Sequence, residues 1–295
     1  MSGDNMCFRK RMWSWALVAV LSVSGQGFAS PVILAQSPSG EVGAVETLVE
    51  TLKIADVIEV MQLEGLSYGA EMEQELFAGQ GGASWTAVVG LIYDRPTMQS
   101  RFDDAFAEQL TGREKDLPAM QAFFGADLGQ RILALEVEAR RSLMDQAVED
   151  AAKALVEDMM AEAAPRIDGL RAFSEANDLI EMNISGALNS NLAFFQGMDE
   201  VSGPDPDMTQ EDMLMTVWGQ EPEIRAETEA WIYPYLSLAY GPLSDEELAA
   251  YIAFSKTEPG QVLNAALFGA FEVVFSTISR DLGRAAAKQM MGQDL

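Results

Sequence analysis

The sequence predicts an all-α protein built as two tandem, internally duplicated helical units that form a soluble multi-helix bundle. Three observations point there. Apolar residues recur at three- and four-residue steps through most of the chain, the spacing that lines one face of a helix. No segment after residue 30 alternates apolar and polar residues as a half-buried strand does, and the hairpin-type dipeptide Asp168-Gly169 falls inside a helical pattern. An ungapped shift of 131 residues also lays residues 117–134 onto 248–265. It matches Leu117 with Leu248, Ala119 with Ala250, Ala122 with Ala253, Phe123 with Phe254, Gly129 with Gly260, Gln130 with Gln261 and Ala134 with Ala265. Seven identities exceed the one or two, roughly, that average composition gives over such a window. A shift of 122 aligns Asp56-Val57-Ile58-Glu59 with Asp178-Leu179-Ile180-Glu181.

In chain order, residues 30–43 are rich in Pro, Ser and Gly and read as a flexible lead-in. A first amphipathic helix begins near Ala44, with Leu48, Leu52, Ala55, Ile58 and Met61 on one face, and the glycines of 79–82 break it. Residues 85–93 and 97–110 form two shorter helices hinged at Asp94-Arg95-Pro96, where Pro suits a first turn. Thr111 and Glu114 have capping-box spacing ahead of a short helix that Gly125 stops after Phe124. Asp127 and Gln130 have the same spacing and open a helix reaching Ala164, on which Glu136 with Arg140 and Glu149 with Lys153 are spaced to pair on a solvated face. The first unit is therefore residues 44–164 and the second 165–295.

The second unit starts with a helix over 166–196, carrying Leu170, Phe173, Leu179, Ile180, Ile184, Leu188, Leu192 and Phe195, followed by an acidic loop over 197–207. Thr209 caps a short helix to Trp218, Pro222 opens one toward Tyr240, Ser244 and Glu247 make a capping box, and a last helix begins near Pro259. Residues 262–279 are apolar apart from Asn264 and Glu272. Those two groups are costly in lipid, and with Ala265, Ala266 and Gly269 they suit a packed core helix rather than an integral membrane span.

Composition narrows the chemistry. In 295 residues there are 19 Lys and Arg against 46 Asp and Glu, a formal charge of −27, which disfavours a non-specific grip on nucleic-acid phosphates. There is no His, so His-based triads, imidazole acid–base catalysis and the commonest zinc sites are excluded. The hydrophobic share of 48% is too high for a disordered acidic tail.

The N-terminus has the order of a secretory signal. The basic cluster Arg9-Lys10-Arg11 precedes an apolar run over residues 12–23, and Gly27-Phe28-Ala29 follows as a small-residue cleavage site, with Ala35 as a second choice. This twelve-residue run, interrupted only by Ser14 and Ser22, falls short of the ~20 that a membrane-spanning helix needs. A signal peptide over 1–29 takes three basic residues and one acidic residue with it, leaving a mature chain of charge −29 with neither thiol nor disulfide, because the single Cys is Cys7. Export without cysteines fits a bacterial periplasm, where the fold rests on its core.

Leu243-Ser244-Asp245-Glu246-Glu247-Leu248, then Ala250-Tyr251-Ile252-Ala253-Phe254, then Thr257-Glu258-Pro259-Gly260-Gln261, resembles the domain of unknown function 2059 family of exported bacterial helical proteins. The resemblance is clearest over 233–290, with a fainter second copy near 102–160. It implies a helical fold and export and brings no catalytic residue with it.

No residue is assigned a catalytic, cofactor-binding or metal role. Glu71, Glu73 and Glu75 point in different directions on a helix and read as a solvated face. Asp199, Glu200, Asp205, Asp207, Glu211 and Asp212 offer hard oxygens for calcium but lack the turn Gly and final Glu of a calcium-binding loop. Met198, Met208, Met213 and Met215 read as gap-filling residues. No Gly-x-Ser-x-Gly elbow, Ser-x-x-Lys pair or phosphate-binding glycine loop occurs. Two function classes remain: a non-enzymatic binding or envelope-associated protein whose partner is a protein or envelope component, and a carboxylate-dependent hydrolase acting on an envelope polymer. The first is preferred, since the exclusions leave an enzyme few reactive groups.

Overall fold

A computed structural model describes residues 38–203 and 209–292, so the expected signal peptide and both expected cleavage sites lie outside the described residues. Within them the chain is all-α, thirteen helices with no strand. The first seven are α1 (Pro38–Thr51), α2 (Ile54–Phe77), α3 (Gly82–Ile92), α4 (Arg95–Gln109), α5 (Leu117–Phe124), α6 (Asp127–Ser142) and α7 (Gln146–Ala161). The rest are α8 (Pro165–Ala176), α9 (Leu179–Ser202), α10 (Gln210–Trp218), α11 (Glu221–Tyr240), α12 (Asp245–Ser255) and α13 (Glu258–Met290).

Helix starts with capping chemistry fall where the residue pattern puts them. Asp94 accepts from the Thr97 amide ahead of Pro96 in α4, and Thr209 and Ser244 close reciprocal capping boxes with Asp212 and Glu247. Two expected boxes do not form. Thr111 donates to the Ala107 carbonyl and Glu114 takes the Gly112 amide in a turn before α5, while α6 is preceded by Ala126 and has no side-chain cap.

Three helices expected to be continuous are broken. The first starts at Pro38, inside the expected lead-in, and is interrupted at Lys53, whose left-handed φ of 55° lets Leu52 and Ile54 both enter the core. Residues two apart on an unbroken helix would face nearly opposite ways. Asp178, at φ 49°, does the same between buried Asn177 and Leu179, splitting 166–196 into α8 and α9. The helix over 127–164 ends at Ser142, and Asp145 caps α7 through the Ala147 amide. The acidic loop is also shorter than expected, since α9 continues to Ser202.

Individual features of α1–α6 return in α8–α13. Both α2 and α9 have 24 residues and follow a left-handed residue, and both α4 and α11 carry Pro in the first turn, Pro96 and Pro222. The corner α5–α6 matches α12–α13 closely. A Cβ on Gly129 would lie 2.2 Å from the Phe123 carbonyl oxygen, and one on Gly260 would lie 2.4 Å from that of Phe254. Only glycine allows so close an approach of helix start to preceding carbonyl. The two corners meet at the Phe123 and Phe254 rings, stacked with centroids 4.0 Å apart and planes 7° apart.

One hydrophobic core runs from Leu48 to Ala286 and joins both units. Its axis is α13, which packs most extensively on α9 and then α4. A Cβ on Gly197 would lie 2.0 Å from the Arg280 carbonyl oxygen and one on Gly283 2.1 Å from that of Phe194, so α9 and α13 cross backbone to backbone. By length and composition α13 could cross a membrane, and 56% of its most apolar window is buried against other helices. Asn264 there donates to the Asn177 carbonyl, and Glu272 accepts from Asn189.

Candidate functional site

The carboxylates singled out by sequence do not converge. Glu73 takes the Gly82 amide and Glu75 is exposed, each on its own side of α2. Glu200 is held by Arg280 and Arg284 of α13, which keep its carboxyl below the usual range, and Asp212 is committed to the α10 cap. Asp205, Asp207 and Met208 lie outside the described residues. Met213 is buried and Met198 packs on the core, while Met215 is 61% exposed. Among the described residues no three His, Cys, Asp or Glu side chains gather as metal ligands.

The chemistry lies instead where a solvated ion pair was expected. Glu136 and Arg140 both turn inward from α6 and do not pair with each other. The reason is the core itself: α2 and α11 cover this face of α6, Tyr251 of α12 reaches into it, and each residue meets its own partner there. Arg140 forks onto Glu64 of α2, with Nε at 2.9 and 3.1 Å from the two carboxylate oxygens and Nη2 at 2.7 Å from Oε2. Burial works against the Arg140 charge, but the Glu64 charge and these bonds outweigh it and hold its pKa above the ordinary value. That pair is self-contained.

Glu136 is different. The Tyr240 hydroxyl donates to its Oε1 at 2.7 Å and the Tyr251 hydroxyl donates to the same atom at 3.0 Å. No described residue bonds Oε2. Burial pushes the Glu136 carboxyl up to about 7, against the two hydroxyls that pull it down. Burial in turn raises the pKa values of Tyr240 and Tyr251 well above 10.0, with the Glu136 charge adding to it, so both remain neutral donors.

The side chain lines a cavity of about 70 Å³. Its walls include the rings of Phe124, Trp231, Tyr235, Tyr251 and Phe271, with Leu267 beside Glu136 and Arg140. Most of these are buried, whereas Glu136 itself, Trp231, Val57 and Val137 are half-buried and mark the side toward the surface. Trp231 stacks on Tyr235 with centroids 5.1 Å apart. A larger groove of about 100 Å³ lies between α9 and α13, lined by Tyr68, Tyr93, Asn183, Phe194, Phe268 and Glu272 among others. Glu272 there is exposed and already accepts from Asn189, so that groove presents no charge to an enclosed ligand.

Sequence reading missed Glu136, Tyr240, Tyr251 and Trp231 as a group because they come from three helices far apart in the chain. One signal was available. The 131-residue shift places Glu136 opposite Leu267 and Arg140 opposite Phe271, apolar positions of a helix that must be buried, and both pairs line the same cavity. The equivalent glutamines also part company: Gln130 donates to the carbonyls of Phe124 and Thr51 at 2.8 and 2.9 Å, tying α5 and α1 to α6, rather than capping its own helix.

Residues 96–158, from α4 into α7, match the family described as "Uncharacterized protein conserved in bacteria (DUF2059)". The match falls on the first unit, not on 233–290 where the resemblance is clearest by eye, and no second copy is matched. No curated protein and no solved structure matches the chain.

Proposed function

We propose that this chain is an exported, periplasmic, non-enzymatic binding protein, assembled from two copies of a six-helix unit, whose receptive site is the cavity beside Glu136. The observation that carries the reading is a carboxylate fixed through one oxygen by two tyrosines, on the wall of a cavity lined from both units. Holding a carboxyl there raises its pKa from 4.5 to about 7, a cost in stability that an apolar side chain, such as Leu267 in the matching position, avoids. Costs of this kind collect at functional sites. A glycosidase-type hydrolase would need a second carboxyl facing the first across the bond to be cut. The neighbouring Glu64 is occupied on both oxygens by Arg140, which favours binding over hydrolysis. Export is supported by the basic–apolar–small order of residues 9–29.

The test has two parts. N-terminal sequencing of the protein from a periplasmic fraction should begin at Ser30 or Gln36, and Met1 at the N-terminus would overturn export. Native mass spectrometry of freshly purified protein should show a small-molecule adduct that Glu136→Gln loses. Release of sugar or peptide from purified envelope polymer, abolished by Glu136→Gln, would instead establish the hydrolase.

A further inference from the structure

We infer that the cavity beside Glu136 takes the ammonium group of a small organic amine, its charge on the Glu136 carboxylate and its alkyl substituents against the surrounding aromatic rings. The inference rests on the binding-protein reading above and names the class of ligand.

Local charge is the first argument. Glu64 and Arg140 cancel each other at hydrogen-bond distance, and the hydroxyls of Tyr240 and Tyr251 are neutral, so an ionised Glu136 is the uncompensated charge of the site. A cation restores the balance that burial of a lone carboxylate upsets. An anion would meet that carboxylate, and a neutral ligand would leave its charge without a counter-ion.

The walls are the second. Phe124, Trp231, Tyr235, Tyr251 and Phe271 supply five aromatic rings around one carboxyl. Ring faces carry negative quadrupole potential, and aromatic surroundings with a carboxylate are how proteins hold alkylammonium groups. Size is the third: about 70 Å³ admits an ammonium head with a few carbons, while the half-buried Trp231 side leaves room for a longer tail to lead outward. The field of a chain of charge −27 also concentrates cations around it.

The groups facing Glu136 are Arg140 on its own helix, Glu64 from α2, Tyr235 and Tyr240 from α11 and Tyr251 from α12, while α13 contributes apolar Leu267 and Phe271. With the carboxyl raised to about 7, capture of an amine near pH 6 must expel its proton. Affinity therefore rises between pH 5 and 8.

Titration calorimetry on the full mature chain tests this with n-butylammonium and tetramethylammonium, against n-butanol and butyrate. The expected result is at least about ten-fold tighter binding of the ammonium ions than of butanol, no binding of butyrate, and release of close to one proton at pH 6, read from the dependence of the heat on buffer. Glu136→Gln should remove the preference for ammonium while butanol binding persists. Should that variant not fold, Trp231→Leu on the exposed side should weaken ammonium binding about five-fold and keep the proton release. Equal affinity for butanol and butylammonium, a preference for butyrate, or binding without proton release would overturn the amine inference and leave a binding cavity. Absence of binding by all four probes would overturn the cavity as a receptive site and the inference with it.

Discussion

The corners α5–α6 and α12–α13 share a backbone and differ in what they place behind it. Each begins its second helix with a glycine pressed against the carbonyl of a phenylalanine, and the two phenylalanines stack on each other. About two and three helical turns further on, the first corner has Glu136 and Arg140 where the second has Leu267 and Phe271, and all four side chains line one cavity. The shared positions are scaffold, because a close backbone approach tolerates no side chain in either copy. The divergent positions give the cavity between the corners one polar wall and one apolar wall.

The largest effect is expected from emptying the polar wall. Arg140→Met should destabilise the protein by about 3–5 kcal/mol, since it leaves Glu64 buried without its cation. Adding Glu64→Gln to that variant should recover part of the loss, as chemical denaturation would show. If Arg140→Met costs no more than a surface substitution, the pair is not the buried element described here.

The shared scaffold comes next. Gly129→Ala and Gly260→Ala should each cost about 2–3 kcal/mol, because the added methyl collides with backbone, which cannot rotate away as a side chain could. The comparison predicts similar losses at the two sites. A tolerated alanine at one and not the other would separate the corners.

Glu136→Gln sharpens the difference between them. The native carboxyl titrates near 7 and its unfolded counterpart near 4.5, so between these values the folded protein binds more protons and stability falls as pH rises. Glutamine removes that loss. The variant should match the parent near pH 4 and exceed it by about 3 kcal/mol at pH 8, the gap between the two profiles opening from about pH 4.5 to 7, measured by urea denaturation across pH. A parallel profile for parent and variant would show that Glu136 ionises freely.

The smallest effect distinguishes the two glutamines. Gln130→Ala removes two bonds to carbonyls and should cost about 1 kcal/mol. Gln261, for which no such bonds exist among the described residues, should lose less than about 0.5 kcal/mol on the same change. Equal losses would restore a common role to the pair.

Much of the fold was legible before the structure. Helical class and the starts of α4, α10 and α12 follow from spacing and caps, which act within a few residues and are written in the local sequence. The breaks at Lys53 and Asp178 were not legible, because neither residue is a helix breaker and the kinks serve to bury side chains on both flanks.

The sequence by itself determined an acidic, His-free, helical chain with a repeated corner and an N-terminal export pattern, since charge, composition and periodicity need no partner to be read. Only the tertiary structure decided which carboxylate matters. Glu136 and Arg140 stand four apart on a helix, the signature of a surface pair, and nothing local reveals that α2 and α11 cover that face and that Tyr251 of α12 reaches into it. Burial, and the pKa and cavity that follow from it, depends on contacts between residues more than 70 positions apart.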